Sequence, residues 1–356
     1  MCKEGARDDV QLEFWPAVTA SNTASIHLAE NMGMGARKSP SALHFQSLGA
    51  AIAAVVLLPA SLSLSWLLTF GDRPFRTGDG IRTYKLAGWS YPPDAIFDNT
   101  WRTFLTDYVL SAICIYWAVR LFYSDRVNKQ RGEATLFCSD SERTQHQPAA
   151  SPLRYRALLL LCHYAFQAAL GGVSHQLYSG STAELNTYAF RAAWTAVVGA
   201  TAAAGGCFGL IGSELLRLAD TRLQLSNVAW LVYTIAMLAL VASGALSCVR
   251  PACDVFIAGT SQAVPTFFLQ ACLLVWRRKV ATLVPWKAYW VLQASLMTNA
   301  PLVFVYPFLV QRSGLPLGVV NAAMHAWLAA SWAAQGWGLS VLVRVSEQVA
   351  VKQKIK

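Results

Sequence analysis

Apolar runs long enough to cross a lipid bilayer recur along this chain, and they limit its fold more than any motif does. They fall at about 102–123, 156–178, 187–210, 226–248, 255–276, 287–310 and 317–343, each near the roughly 20 residues a helix needs to traverse the hydrocarbon. Backbone polar groups in lipid must be satisfied within the spanning element, and these long runs lack the alternation of a barrel strand, so helices are expected. A further run at about 46–70 has spanning length at roughly 25 residues. With a start at Met34, Arg37 and Lys38 precede it in the manner of a signal anchor. The expected fold is all-α: a polytopic membrane helical bundle with a seven-helix core over 102–345 and one extra N-terminal transmembrane helix.

Composition enters as a check on that class. Of 356 residues, 55% are hydrophobic and 13% charged, against roughly 25% charged in soluble domains. The net charge of +10 invites a nucleic-acid reading, but the basic residues form no single stripe. They sit in short loops between apolar runs, which excludes nucleic acid as a partner and leaves membrane lipid. Arg and Lys on the side that holds loop 71–101 are roughly half as many as on the other, so the other side, with the basic tail 346–356, is expected to be cytoplasmic. Residues 1–45 show no sustained period and are expected to be disordered, and Gly and Pro make 71–101 a polar loop. Cys114, Cys162, Cys207 and Cys272 lie in apolar runs and read as small hydrophobes, whereas Cys248 and Cys253 flank a turn and can bridge only in an oxidising compartment.

Polar residues inside the apolar runs carry the functional expectation, because an ionisable group in a membrane is a functional-site candidate by default. At 1.5 Å per residue, Asp107 near the start of the first core helix, His175 near the end of the second and His325 about eight residues into the last approach one leaflet. Asn186, Arg191 and Gln262 share that level, and Asn321 precedes His325 by one turn on the same face. A neutral imidazole is a common zinc ligand, and a metal-bound water supplies hydroxide near neutral pH, so metal-assisted hydrolysis is one expectation. A catalytic zinc normally has three protein ligands, and only two histidines are placed for it. His163 is twelve residues from His175, roughly 18 Å along the helix, and cannot share the ion. Ser174 needs a general base in reach to act as nucleophile, and a structural hydroxyl is its alternative. A non-catalytic multipass receptor, scaffold or transporter remains the alternative for the whole chain, and the oligomeric state is left open.

Gly171-Gly172-Val173-Ser174-His175 closing the second core helix and Asn321-x-x-x-His325 in the last resemble the membrane-hydrolase superfamily of alkaline ceramidases and progestin/adipoQ receptors, often called CREST. The resemblance covers about residues 98–345. In that superfamily the second helix carries a serine and a histidine, the seventh an H-x-x-x-H pair, and an acidic residue assists a zinc-bound water in hydrolysing a lipid amide. The resemblance implies zinc held by His175 and His325, with Asp107, Ser174 and Asn321 as the catalytic candidates and a lipid amide or ester as substrate. The chain departs from the pattern at three places. Asn321 stands where the first histidine of the pair belongs, Ser174 adjoins His175 while Gly171 holds the usual serine spacing, and Asp107 is on the first core helix instead of a later one.

Overall fold

The computed structural model describes residues 97–136, 151–219, 226–243, 253–280 and 285–355. The expected N-terminal helix 46–70, the region 1–45, most of loop 71–101 and Cys248 lie outside them. Every regular element among the described residues is a helix. In chain order these are α1 (Trp101–Leu136), α2 (Pro152–Leu177), a short α3 (Thr182–Leu185), α4 (Tyr188–Leu218), α5 (Asn227–Ser243), α6 (Cys253–Val280), α7 (Trp286–Met297), α8 (Leu302–Arg312) and α9 (Leu317–Ile355).

Among the described residues four stretches are long and apolar enough to cross a membrane: Trp101–Tyr123, Pro152–Leu177, Tyr188–Leu218 and Trp286–Val310. Outward faces of one of these stretches and of the shorter apolar helix α5 are apolar too. Val109, Ile115 and Val119 of α1 and Val228, Leu231 and Ile235 of α5 are all exposed, a surface that suits lipid contact.

Helix ends follow local chemistry. Pro152 sits in the first turn of α2, where its missing N–H costs nothing, and the Thr187 hydroxyl caps α4 by accepting from Phe190 N at 3.3 Å. The expected single helix over 287–310 is two helices with a turn at 298–301, because Pro301 has no N–H to continue the ladder and instead opens α8, its carbonyl accepting from Val305 N at 2.9 Å. Pro265 behaves differently, for α6 runs through it unbroken. The short helix α3, absent from the sequence expectation, fills the turn between α2 and α4.

The helices form a ring. α9 packs on α1, α1 on α2, α2 on α4 and α4 on α6, while α7 and α8 join α6 back to α9; α5 lies against α4. In lipid no hydrophobic gain drives helix against helix, so close approach and interhelical hydrogen bonds hold the ring. Small residues on α4 serve the first need: a Cβ on Gly205 would lie 2.5 Å from the Ser261 carbonyl oxygen, and one on Gly209 would lie 2.0 Å from the Trp230 ring. For the second, Ser111 Oγ donates to the Ala165 carbonyl at 2.9 Å, Trp230 Nε1 to Ser213 Oγ at 2.9 Å and Tyr233 Oη to the Ser261 carbonyl at 2.7 Å.

Two polar layers bracket the bundle. At one end Arg154 makes a bidentate pair with Glu347, with N–O distances of 2.9 and 2.7 Å, and also donates to the Leu121 carbonyl. Beside it Glu214 takes Arg156 at 3.0 Å and Arg217 at 2.5 Å. At the other end lie His175, Asp98 and Asn321. Along α2 the step from Arg154 to His175 is about 30 Å, which matches the thickness of a bilayer's hydrocarbon.

Candidate functional site

The ring encloses a cavity of about 450 Å³, within the range of about 300–1,000 Å³ that ligand sites occupy. Its walls are mostly apolar, with Leu110, Phe208, Leu296, Leu328 and Trp332 among them, and its polar end collects Asp98, Asp107, His175, Asn321 and His325. The structure therefore brings four of the five sequence candidates, Asp107, His175, Asn321 and His325, to one chamber.

Asp98, which sequence reading passed over, is the hub of that end. Its Oδ1 accepts from Thr100 N at 3.2 Å, an Asx turn that starts α1. Its Oδ2 accepts from the Thr103 hydroxyl, from the Thr100 hydroxyl at 3.2 Å and from Asn321 Nδ2 at 3.2 Å. Its backbone carbonyl accepts from His175 Nδ1 at 2.5 Å. One residue thereby fixes the beginning of α1, the end of α2 and the first turns of α9. The signal was present: Asp-Asn-Thr directly before an apolar run is a helix-start signature.

His175 is held on one face and at its edge by two aromatic rings that also touch each other. Phe97 stacks on the ring at 4.5 Å and 13°, and Trp194 meets it edge-on at 5.3 Å. Since a carbonyl can only accept, Nδ1 carries the proton and the neutral ring keeps its lone pair on Nε2.

His325 faces Asp107. Its Nε2 is 3.4 Å from Asp107 Oδ1, and its Nδ1 is 2.8 Å from Thr106 Oγ1. Thr106 has one hydroxyl proton and lies 2.7 Å from the Arg102 carbonyl and 2.9 Å from the Thr103 carbonyl. With that proton given to its own helix, Thr106 accepts from His325 Nδ1 and the Nε2 lone pair faces the carboxyl; with it given to Nδ1, Nε2 carries its hydrogen toward Asp107. The imidazole and the carboxyl face each other at a separation longer than a made hydrogen bond, a slack common in acid–base pairs before ligand arrives. Asp107 Oδ2 is buried and has no partner, and a Cβ on Gly171 would be 3.6 Å from it.

Asn321 and Ser174 have other duties. The Asn321 amide is used at both ends, Nδ2 on Asp98 and Oδ1 accepting from the Tyr306 hydroxyl, so it positions helices instead of meeting a ligand. Ser174 is fully buried, donates to the Leu170 carbonyl of its own helix at 2.8 Å and does not line the cavity. The reason is angular: adjacent helix positions point about a third of a turn apart, so Ser174 and His175 cannot both face the chamber. Asn186 caps the short α3, and Gln262 lies deeper, accepting from the Tyr164 hydroxyl at 3.1 Å and donating to the Thr201 carbonyl at 2.8 Å. His163 is not among the cavity's lining residues.

A catalytic zinc normally has three protein ligands. Among the described residues no cluster of three or more His, Cys, Asp or Glu side chains is arranged to hold an ion, and Asn321 cannot supply the missing one. The donor set falls short of that count. What the chamber offers on its own is acid–base chemistry from Asp107 and His325, with His175 Nε2 as a further acceptor. No family model, no curated protein and no solved structure matches the chain, so its function is read from these residues.

Proposed function

We propose that this chain is a multi-pass integral membrane protein that admits an amphipathic lipid to the bundle and hydrolyses an amide or ester at the lipid's polar end. The observation that carries the proposal is the Asp107–His325 pair, with its bare carboxylate oxygen, at the polar end of an otherwise apolar cavity. In the finer form of the proposal the described helices make seven crossings, α7 and α8 counting as one. The C-terminal tail lies in the cytoplasm, and the frame is CREST-like.

The proton transfers of hydrolysis use the residues already named. The pair takes a proton from water as the water oxygen bonds to the carbonyl carbon and the carbonyl electrons move onto its oxygen. Collapse of that intermediate breaks the C–N or C–O bond. The pair returns the proton to the leaving amine or alcohol, and the other product is a carboxylic acid. General acid–base help of this kind contributes about 10²–10⁴-fold. A zinc-dependent form, with His175 and His325 as the ligands, is the variant of this proposal that metal analysis of purified protein decides.

Full-length protein in nanodiscs, incubated with a panel of N-acyl and O-acyl lipids, is expected to release carboxylic acid, detected by mass spectrometry. Asp107→Asn and His325→Gln should each slow release by about a hundredfold or more. Lipid binding without release from any member of the panel would overturn hydrolysis in favour of a receptor or scaffold, a second function supported by the satisfied network around Asp98.

A further inference from the structure

The deep end of the cavity holds a polar group that the hydrolytic proposal does not use. Gln335 on α9 is 2% exposed and lines the cavity. Its Nε2 donates to the Ser295 carbonyl at 3.3 Å and to Ser331 Oγ at 3.1 Å, while Ser331 Oγ donates to the same carbonyl at 2.8 Å. An amide oxygen in that position would meet an acceptor, so the orientation of the side chain is fixed by its neighbours. Oε1 is left buried and without a partner, a condition that is unfavourable unless something donates to it.

Gln335 lies ten residues beyond His325 on one continuous helix, about 15 Å further along the axis. Leu328 and Trp332 line the wall between them, with Trp332 stacked on Tyr164 at 4.2 Å. The cavity thus has a polar station at each end and an apolar body. Two buried, unpartnered oxygens whose identity is fixed lie on its lining residues, Asp107 Oδ2 and Gln335 Oε1, and both are acceptors. A ligand that satisfies them must bring donors.

We propose that the ligand is a two-ended amphiphile: a donor-bearing head at Asp107, an apolar body along Trp332, and a hydroxyl at the far end that donates to Gln335 Oε1. The head position rests on the lipid-binding part of the function proposed above, but the distal hydroxyl does not depend on turnover.

The test uses full-length protein in detergent micelles and two probes with the same amine head and chain, aminododecanol with its hydroxyl at the far end and dodecylamine without it. Aminododecanol is expected to bind about tenfold more tightly by calorimetry, and Gln335→Met should remove that advantage while leaving dodecylamine affinity unchanged. Gln335→Leu, also apolar and of similar volume, should do the same and covers the case in which Gln335→Met does not fold. Equal affinity for the two probes, an advantage that persists in both variants, or binding of neither probe overturns the inference. Absence of hydrolysis with the tenfold preference intact overturns only the hydrolytic proposal.

Discussion

His175 donates its Nδ1 hydrogen to the backbone carbonyl of Asp98 at 2.5 Å, so the last turn of α2 is tied to the residue that starts α1. The tie is buried, and removing the donor strands a carbonyl away from water. His175→Phe keeps the stacking on Phe97 and the approximate volume but supplies no donor. It is expected to lower stability by about 1–3 kcal/mol, read as a lower midpoint of thermal unfolding in detergent. An unchanged midpoint would show that the carbonyl finds water and that the tie does not hold the helices together.

Arg154 and Glu347 lie at the other end of the bundle and differ in exposure, their side chains being 3% and 25% exposed. Breaking a buried pair is costly because it leaves one charge uncompensated, by about 3–5 kcal/mol for a fully buried case. The two single variants should therefore be unequal. Glu347→Ala leaves a guanidinium enclosed by protein and is expected to destabilise more than Arg154→Ala, after which Glu347 can turn to water. Arg154→Met with Glu347→Leu should recover most of the loss, since well-packed apolar replacements for a buried pair are often neutral. Equal effects of the two single variants would mean that the exposures do not govern the energetics.

The bundle was legible in the sequence because spanning length and lack of alternation are properties of single segments. The chamber was legible in part, since depth along a helix follows from residue count, and Asp107, His175 and His325 do meet at one level. Facing was harder. Ser174 and His175 are neighbours in sequence and point to different surroundings, and only the packing of α1 on α2 decides which one sees the cavity. Asp98 was missed because a residue outside an apolar run gives no intramembrane signal, although its helix-start signature was there. Gln335 was missed for another reason: an amide in an apolar helix reads as an ordinary interhelical hydrogen bond, and only its fixed orientation reveals the bare oxygen.

Two glycines should respond in opposite ways to an added side chain. At Gly171 a Cβ makes ordinary contact with the Asp107 carboxyl at 3.6 Å, so Gly171→Ser brings a hydroxyl within reach of the bare Oδ2 and is expected to stabilise by about 1 kcal/mol. At Gly205 the same addition meets the Ser261 carbonyl oxygen at 2.5 Å, which is backbone and cannot swing aside. Gly205→Ala is expected to separate α4 from α6 and cost about 1–3 kcal/mol. Thermal unfolding of both variants checks the pair, and a loss at Gly171→Ser equal to that at Gly205→Ala would show that the Asp107 oxygen is not open to a donor.

Outside the membrane-spanning helices, Glu184 in the short α3 accepts from the Ser179 hydroxyl and from Ser179 N at 2.6 Å. Those bonds, the hydroxyl first, favour the ionised carboxylate and hold its pKa below the ordinary value. The sign follows from linkage: a group whose pKa is depressed in the folded state stabilises it above the unfolded pKa, and that contribution is lost as pH falls through the folded value. Acidification should therefore loosen the α2–α4 connection before the helices themselves unfold. Carboxyl carbon chemical shifts of isotopically labelled Glu184 are expected to titrate at lower pH than those of a free glutamate. In Ser179→Ala, which removes the larger of the two causes, the titration should move back up; no movement would assign the shift to the backbone N–H alone.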